Sequence, residues 1–291
     1  MRVVPVAGHD SLLLNLSGGH QPLFTRNLVI LEDETGQVGL GETPGGEAIL
    51  RTLEASRDLV EGKSVGCLAN VLSSMRERFG HLDAGGRGRQ TFDSRVMIHA
   101  LAAVESAFLD LLGKFLELPV AALLGPGQQR DAVEVLGYLF YVGDAAQTDL
   151  GYRATESPAN DWERLRHRET LDAPGLVELA GACIDAFGFR HLKLKGGVLE
   201  GRAECDCMEA LHEAFPDVGL TLDPNAAWTL RDAIEWLQPI AGMLTYAEDP
   251  CGAEPGLTAV EAMAQFKRAT SIPVASNMIG TDFPGLLKAC L

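Results

Sequence analysis

The sequence predicts an α+β domain followed by an incomplete (β/α) TIM-like barrel, with about five of the eight strands present. The first part of the chain mixes β-rich runs with a long apolar helix, whereas the part after residue 127 alternates strands with helices. The polar ends of four successive predicted strands lie 28, 25 and 29 residues apart. A complete barrel of about 250 residues has a period of about 31, so the spacing favours a barrel.

Residues 1–127 are predicted to form the first domain. Short β-rich runs predict three strands, at residues 12–16, 27–31 and 38–42. A helix is expected to begin near Glu47, and a second is expected over residues 96–116. The second helix is apolar on most faces, which indicates burial between layers. The segment Gly125-Pro126-Gly127 ends the helical pattern and marks the domain boundary.

Residues 128–291 are predicted to form the second domain, in which strands and helices alternate. The strands are expected at residues 134–142, 191–195, 219–223, 243–248 and 273–277. The helices are expected at residues 175–187, 202–214, 230–237 and 259–269. This alternation predicts a parallel sheet. A doubly wound sheet is also parallel, but no glycine fingerprint opens a first helix, so the barrel is favoured.

The composition restricts the class of protein. The chain has 291 residues, of which 46% are hydrophobic and 22% charged, as expected for a globular protein. Its net charge of −16 argues against partners such as nucleic acid or an anionic membrane surface. The six cysteines have no framework spacing, and no secretory signal or membrane-spanning apolar run is visible. A cytoplasmic location is therefore expected.

Polar side chains follow the apolar run of four predicted strands. These side chains are Lys193, Lys195, Asp223, Asn225, Glu248 and Asn277. Residues i and i+2 of a strand face the same side, so both lysines are expected to point into the barrel mouth together. Asp223, Glu248 and Asn277 supply the oxygen ligands that a hard cation such as Mg²⁺ prefers. The pattern predicts a Mg²⁺ site beside two lysines.

This set of residues fits the removal of a weakly acidic proton beside a carboxylate. A dication and Lys193 both disfavour the ammonium form of Lys195, which is therefore expected to act as the general base. A carboxylate bound to Mg²⁺ accepts the developing enediolate charge. A single Lys-x-Lys or Asp-Pro segment is more often a solvated strand end or a turn. Four such endings at barrel spacing favour the functional interpretation.

Longer strings carry a resemblance to a known family. The ordered set of strand endings resembles the enolase superfamily, and within it several strings resemble the D-glucarate dehydratase family. They cover nearly the whole chain, from about residue 3 to about residue 282. The strings are VPVAGHDSLLLNLSGGH (4–20), FTRN (24–27), DAGGRG (83–88), QTFD (90–93), LGYLF (136–140), LKLKGGVL (192–199), LDPNAAW (222–228) and YAEDPCGAE (246–254).

The resemblance implies an enolase-superfamily fold, in which the first domain caps the barrel. It implies elimination of water from a hexarate (aldaric acid), D-glucarate, giving 5-dehydro-4-deoxy-D-glucarate. Mg²⁺ would be bound by Asp223, Glu248 and Asn277, and Lys195 would be the base with Lys193 as its partner. The family's substrate contacts match His20, Thr91, Tyr138, Lys193 and Asn225.

The family's barrel has eight strands, and its later strands supply a second base, a histidine supported by an aspartate. No residue here matches that pair, so we expect a C-terminally truncated barrel that carries the lysine base. In the family, that histidine serves D-glucarate and the lysine serves the epimeric diacid. Three hypotheses stay open. The first is a truncated family member with weak or no activity, and the second is a dehydratase or epimerase that uses only Lys195, with or without a partner chain that completes the site. The third is a non-catalytic remnant. The remnant would bind Mg²⁺ or a diacid, or assemble with intact paralogues. Homo-oligomer formation is also left open.

Overall fold

The computed structural model describes residues 1–9, 23–86, 93–144, 157–281 and 283–290. The described residues divide into two compact units, one ending at Val133 and one beginning at Glu134. The assignment of residues 1–127 and 128–291 to separate domains stays a prediction. No helix in these described ranges has the length and apolarity that crossing a bilayer requires.

The first unit contains an antiparallel sheet. Among its described residues, the strands are β1 (Arg2–His9), β2 (Leu23–Glu32) and β3 (Val38–Pro44), paired in that order. The helices are α1 (Glu47–Ala55), α2 (Arg57–Val60), α3 (Leu68–Phe79), α4 (Met97–Leu116) and α5 (Val120–Leu123). The strands predicted at 27–31 and 38–42 lie within β2 and β3. The strand predicted at 12–16 falls outside the described residues.

Helix α4 packs directly on β3. A Cβ atom built on Gly41 of β3 would lie 1.9 Å from the backbone oxygen of Ala103, so the helix lies closer than any side chain there allows. At the start of α4, the Asp83 carboxylate accepts hydrogen bonds from the backbone N–H groups of the first turn, those of Val96, Met97 and Ile98. This carboxylate satisfies donors that a helix N-terminus leaves unpaired.

The second unit contains a parallel sheet. Within the described part of the unit, five strands pair in chain order: β4 (Gly137–Phe140), β5 (His191–Lys195), β6 (Gly219–Asp223), β7 (Leu244–Glu248) and β8 (Val274–Ala275). The helices are α6 (Asp161–Leu165), α7 (Ala173–Phe187), α8 (Gly201–Ala214), α9 (Leu230–Leu237), α10 (Ala259–Thr270) and α11 (Phe283–Cys290). The predicted fold class, an α+β region followed by five strands of a (β/α) barrel, is confirmed.

The alternation of side chains in β5 and β6 separates the core from the site. Leu192, Leu194, Leu220 and Leu222 are buried in the apolar core of the unit. The residues between them, beginning with Lys193, point to the opposite face of the sheet because successive side chains of a strand alternate. Hydrogen-bonding side chains at Asp172, Thr229 and Thr258 begin α7, α9 and α10. These caps fix where each helix starts after its strand.

Candidate active site

Lys193 is almost fully buried, with 2% of its surface exposed, although it carries a charge. Its Nζ donates hydrogen bonds to Asp223 Oδ2 at 3.1 Å and to Glu248 Oε2 at 2.8 Å. The same ammonium group lies 4.4 Å from the centre of the Tyr138 ring, a cation–π distance. Lys193 therefore joins β5 to the ends of β6 and β7 and to the ring of a β4 residue.

Lys195 lies two residues further along β5 and faces the same carboxylate. Its Nζ donates to Asp223 Oδ2 at 2.5 Å and to Asn225 Oδ1 at 2.6 Å. Lys195 and Asp223 are also direct partners in the β5–β6 register. Both lysine ammonium groups thus donate to one oxygen atom, at the carboxyl ends of two neighbouring strands.

The pKa of Lys193 reflects two opposing influences. Burial by itself lowers the pKa of this amine, because it disfavours the charged form. Hydrogen bonds to Glu248 and Tyr138, together with the negative charges of Asp223 and Glu248, outweigh burial and raise the pKa above its ordinary value. Lys193 is accordingly a fixed ammonium at neutral pH, and its charge balances that of the two carboxylates.

Asn277 lies just beyond β8 and contacts the end of β7. Its side-chain Nδ2 donates to Glu248 Oε1 at 3.1 Å, and its backbone N–H donates to Asp249 Oδ2 at 3.3 Å. Asp249 also accepts a hydrogen bond of 2.6 Å from Ser276 Oγ. Sequence reasoning did not single out Asp249. The available signal was a second acidic residue directly after Glu248, and its hydrogen bonds link the end of β7 to the loop that carries Asn277.

Residues just after the ends of β6 and β7 have left-handed backbone conformations. Asn225 has φ of 53° and Asp249 has φ of 40°, a region that residues other than glycine occupy rarely and at some cost. Asn225 is buried, and its side-chain Nδ2 has no hydrogen-bond partner within the described residues. A buried donor without a partner indicates a place for an oxygen-bearing ligand.

The predicted metal ligands lie together and carry oxygen donors. Asp223 and Glu248 both accept hydrogen bonds from the Lys193 ammonium group, and Glu248 accepts one from Asn277. The three predicted ligands, Asp223, Glu248 and Asn277, therefore lie close together. In the described part of the chain, no group of three or more His, Cys, Asp or Glu residues could hold a metal ion. The predicted set is of another kind, two carboxylates and an amide, and its oxygen donors fit a hard cation such as Mg²⁺.

The structure brings together most of the residues that the sequence predicted. Tyr138, Lys193, Lys195, Asp223, Asn225, Glu248 and Asn277 are connected by the contacts given above. Tyr138 keeps 42% of its surface exposed, so part of it is open to solvent. His20 and Thr91, the other predicted substrate contacts, lie outside the described residues.

Comparison with known proteins shows consistent matches. A family model described as enolase C-terminal domain-like matches residues 175–289. The probable glucarate dehydratase of Streptomyces coelicolor is 36% identical over 297 aligned residues, which cover 99% of this chain and 65% of that protein. The chain therefore spans slightly less than two thirds of this relative's length.

Solved structures match over the same extent. An enolase from Pseudomonas fluorescens with bound magnesium, potassium and tartrate superposes with a TM-score of 0.85 and 31% identity, covering 99% of this chain and 64% of that one. An enolase from Mycobacterium smegmatis complexed with tartrate gives a TM-score of 0.82 and 34% identity, covering 99% of this chain and 63% of that one. Taken with the order of its strands, these matches show that the chain has an enolase-superfamily fold.

Proposed function

We propose that the chain carries a glucarate dehydratase-like lyase site that removes the proton beside a carboxylate of a hexarate and eliminates water. The proposed substrate is D-glucarate or its epimer L-idarate, the diacid that the lysine serves in the family, and 5-dehydro-4-deoxy-D-glucarate is the product. The similarity to a probable glucarate dehydratase supports the reaction class. Tartrate, which two similar structures hold, is a hydroxylated dicarboxylate and supports the substrate class.

The observation that carries the proposal is the position of Lys195. Its amine lies at hydrogen-bonding distance from Asp223, a proposed metal ligand, and from Asn225, a proposed substrate contact. A general base must reach the proton that it removes, which here lies on the carbon beside the substrate carboxylate. The contacts of Lys195 Nζ with Asp223 and Asn225 support its assignment as that base.

Each neighbouring side chain has a proposed role. Lys195 in its neutral form takes the proton beside the carboxylate. The hydroxyl on the next carbon then takes a proton from the Lys195 ammonium and leaves as water, and the resulting enol tautomerises to the keto acid. Lys193 stays charged, binds the substrate carboxylate and disfavours a second charge on Lys195. The buried Asn225 Nδ2 donates to a substrate oxygen. Mg²⁺ bound by Asp223, Glu248 and Asn277 would stabilise the negative charge that develops on the substrate carboxylate.

The test is keto-acid formation from D-glucarate and from its epimer L-idarate, each with Mg²⁺, by wild-type protein and by Lys195→Ala. We expect the variant to lose at least about 100-fold in rate, the scale on which a general base contributes. Lys267→Ala, on the exposed face of α10, is the matched control and should keep the wild-type rate. Exchange of the substrate proton for deuterium in D₂O reports on proton removal by Lys195 even when the elimination of water is slow.

The outcomes separate the hypotheses. Turnover or exchange that survives Lys195→Ala contradicts the role given to Lys195. Binding of Mg²⁺ or of a diacid by wild-type protein without turnover or exchange contradicts the lyase proposal. That result would favour the alternative, a non-catalytic remnant that binds these ligands.

A further inference from the structure

Glu204 is a fully buried carboxylate on α8, outside the set of residues assigned to the reaction. Its two oxygens accept hydrogen bonds from three consecutive backbone N–H groups. Oε2 accepts from Gly197 at 3.0 Å, and Oε1 accepts from Val198 at 2.8 Å and from Leu199 at 2.9 Å. One side chain thereby holds the three central residues of the loop that leads from β5 into α8.

Burial of the Glu204 carboxylate costs free energy of folding, because the group loses its contacts with water. Burial raises the pKa of the Glu204 carboxyl above its ordinary value, although the three backbone N–H groups lower it. In the part of the chain that the structure describes, no lysine or arginine forms an ion pair with Glu204. The neighbouring buried positions of α8 include Cys205, Met208 and Leu211, which are apolar. Apolar packing alone would not require a carboxylate at this position.

The loop that Glu204 holds begins directly after Lys195. The Gly196 N–H donates to the backbone oxygen of Asp223 at 2.9 Å, which ties the first loop residue to the end of β6. Gly197 has φ of 75°, and a Cβ built on it would lie 2.5 Å from the backbone oxygen of Pro224. The loop therefore lies against the Asp223–Pro224 backbone, directly after the last residue of β5.

From this geometry we infer that Glu204 is a positioning residue for Lys195. By fixing the amides of residues 197–199, it holds the end of β5 so that the Lys195 amine stays aligned with Asp223 and Asn225. Lys193 has paired residues on both sides of it along β5, whereas Lys195 is the last paired residue of the strand and adjoins the loop. The effect should therefore fall on Lys195 more than on Lys193. The catalytic part of this inference rests on the proposed function.

The test compares wild-type protein with Glu204→Gln and Glu204→Asp. Glutamine keeps the size of the side chain, but its NH₂ group faces loop N–H groups that a carboxylate oxygen accepts from in the wild type. Aspartate keeps both acceptor oxygens on a shorter side chain. Glu213→Gln, an exposed position on the same helix, is the matched control. Three quantities are measured: hydrogen exchange of the amides of residues 197–199, the ¹⁵N signals of the Lys195 and Lys193 ammonium groups, and kcat and KM for the hexarate.

For Glu204→Gln we expect exchange of the loop amides to rise about 10-fold or more, with the amides of β6 and β7 unchanged. We expect the Lys195 ammonium signal to shift more than that of Lys193. We expect kcat to fall about 10-fold or more while KM changes less than about 3-fold, because misplacing a catalytic group affects the chemical step. Glu204→Asp should recover part of each loss, and Glu213→Gln should resemble the wild type.

Unchanged loop exchange and an unchanged Lys195 signal in Glu204→Gln would overturn the inference. Equal loss of protection throughout the second unit would overturn it as well, because it would show a general role in folding. If wild-type protein turns over no hexarate, the proposed function fails, and the exchange and ammonium measurements alone decide the positioning role. The two failures are therefore distinguishable.

Discussion

At the residue scale, Lys193 is a buried charge held between two carboxylates. Its ammonium group lies between Asp223 and Glu248, and the three side chains are 10% exposed or less. Removing one partner from a buried set of charges leaves the others uncompensated. The lysine is therefore expected to contribute to stability as well as to substrate binding.

We predict that Lys193→Met destabilises the second unit by about 3 kcal/mol at pH 7, within the range for breaking a buried ion pair. The measurement is urea denaturation followed by tryptophan fluorescence. Mg²⁺ should restore part of the loss, because it supplies positive charge to the same carboxylates. Lys267→Met, on the exposed face of α10, is the control. A loss below about 1 kcal/mol in Lys193→Met would contradict the prediction.

Glu204 leads to a prediction about pH. Burial raises the pKa of its carboxyl, so between pH 4 and 7 the folded protein binds more of this proton than the unfolded chain does. The raised pKa means that the protonated form of Glu204 favours the folded state. Its contribution to the free energy of unfolding is thus fully present at a pH below the unfolded pKa of about 4.3. It is lost as the pH rises through the folded-state pKa. Nearby Cys205 stays neutral in this range, since burial raises the pKa of its thiol to about 12.

We predict that the difference in unfolding free energy between wild type and Glu204→Gln shrinks as the pH rises from about 4.5 to 7.5. Urea denaturation of both proteins at several pH values measures that difference. Other groups titrate equally in the two proteins, so they cancel in the comparison. A difference that stays constant or grows with pH would show that the folded-state pKa of Glu204 is not raised.

Among the elements, β3 and α4 form the closest approach in the first unit. Gly41 has no space for a methyl group because the backbone of α4 lies against it. Gly8, in β1 of the same sheet, has nothing within 4 Å of the corresponding position. The two glycines therefore provide a matched pair for testing this contact.

We predict that Gly41→Ala destabilises the first unit by about 2 kcal/mol, since overpacking a close contact typically costs about 1–3 kcal/mol. Gly8→Ala should change stability by less than about 0.5 kcal/mol. Thermal unfolding of both variants, followed by circular dichroism, measures the difference. Equal melting temperatures for the two variants would mean that α4 can move away from β3 without cost.

How well each element could be predicted follows from its surroundings. Strands β5 and β6 are short apolar runs that end in charged side chains, so their bounds at residues 191–195 and 219–223 were predicted as observed. Strand β1 was missed, because Pro5, Gly8 and His9 interrupt its β-rich pattern. Its pairing with β2 is a long-range contact that local pattern does not contain.

Some residues of the candidate site could be predicted from the sequence and others could not. The side chains at the carboxyl ends of the strands could be predicted, because strand spacing and side-chain alternation place them on one edge of the sheet. Asp249 and Glu204 could not be predicted. Their partners are backbone N–H groups and a serine hydroxyl, which have no distinctive pattern in a single sequence.

At the scale of the molecule, the net charge of −16 opposes the binding of the anionic substrate that is proposed for the site. An acidic protein repels a dicarboxylate at long range and attracts a dication. The local charges at the proposed metal ligands are two carboxylates, which are paired with two lysines and balanced by them. Binding of the diacid is therefore expected to depend on Mg²⁺, which converts the local charge from balanced to positive.

The tryptophans allow this dependence to be measured in one unit alone. All three, Trp162, Trp228 and Trp236, belong to the second unit, and Trp228 packs edge-to-face on Trp236 at 5.1 Å. Tryptophan fluorescence during heating therefore follows the unit that carries the site. Circular dichroism, by contrast, reports on the whole chain.

We predict that Mg²⁺ raises the melting temperature seen by tryptophan fluorescence. At a concentration 100 times Kd, binding adds about 2.7 kcal/mol, which corresponds to a shift of about 5–10 °C for a unit of this size. Sodium chloride at matched ionic strength is one control, since screening alone stabilises an acidic protein. Asp223→Asn is the second control, because it removes a proposed ligand. A shift of equal size in sodium chloride or in Asp223→Asn would mean that Mg²⁺ acts through general screening and that Asp223 does not bind it.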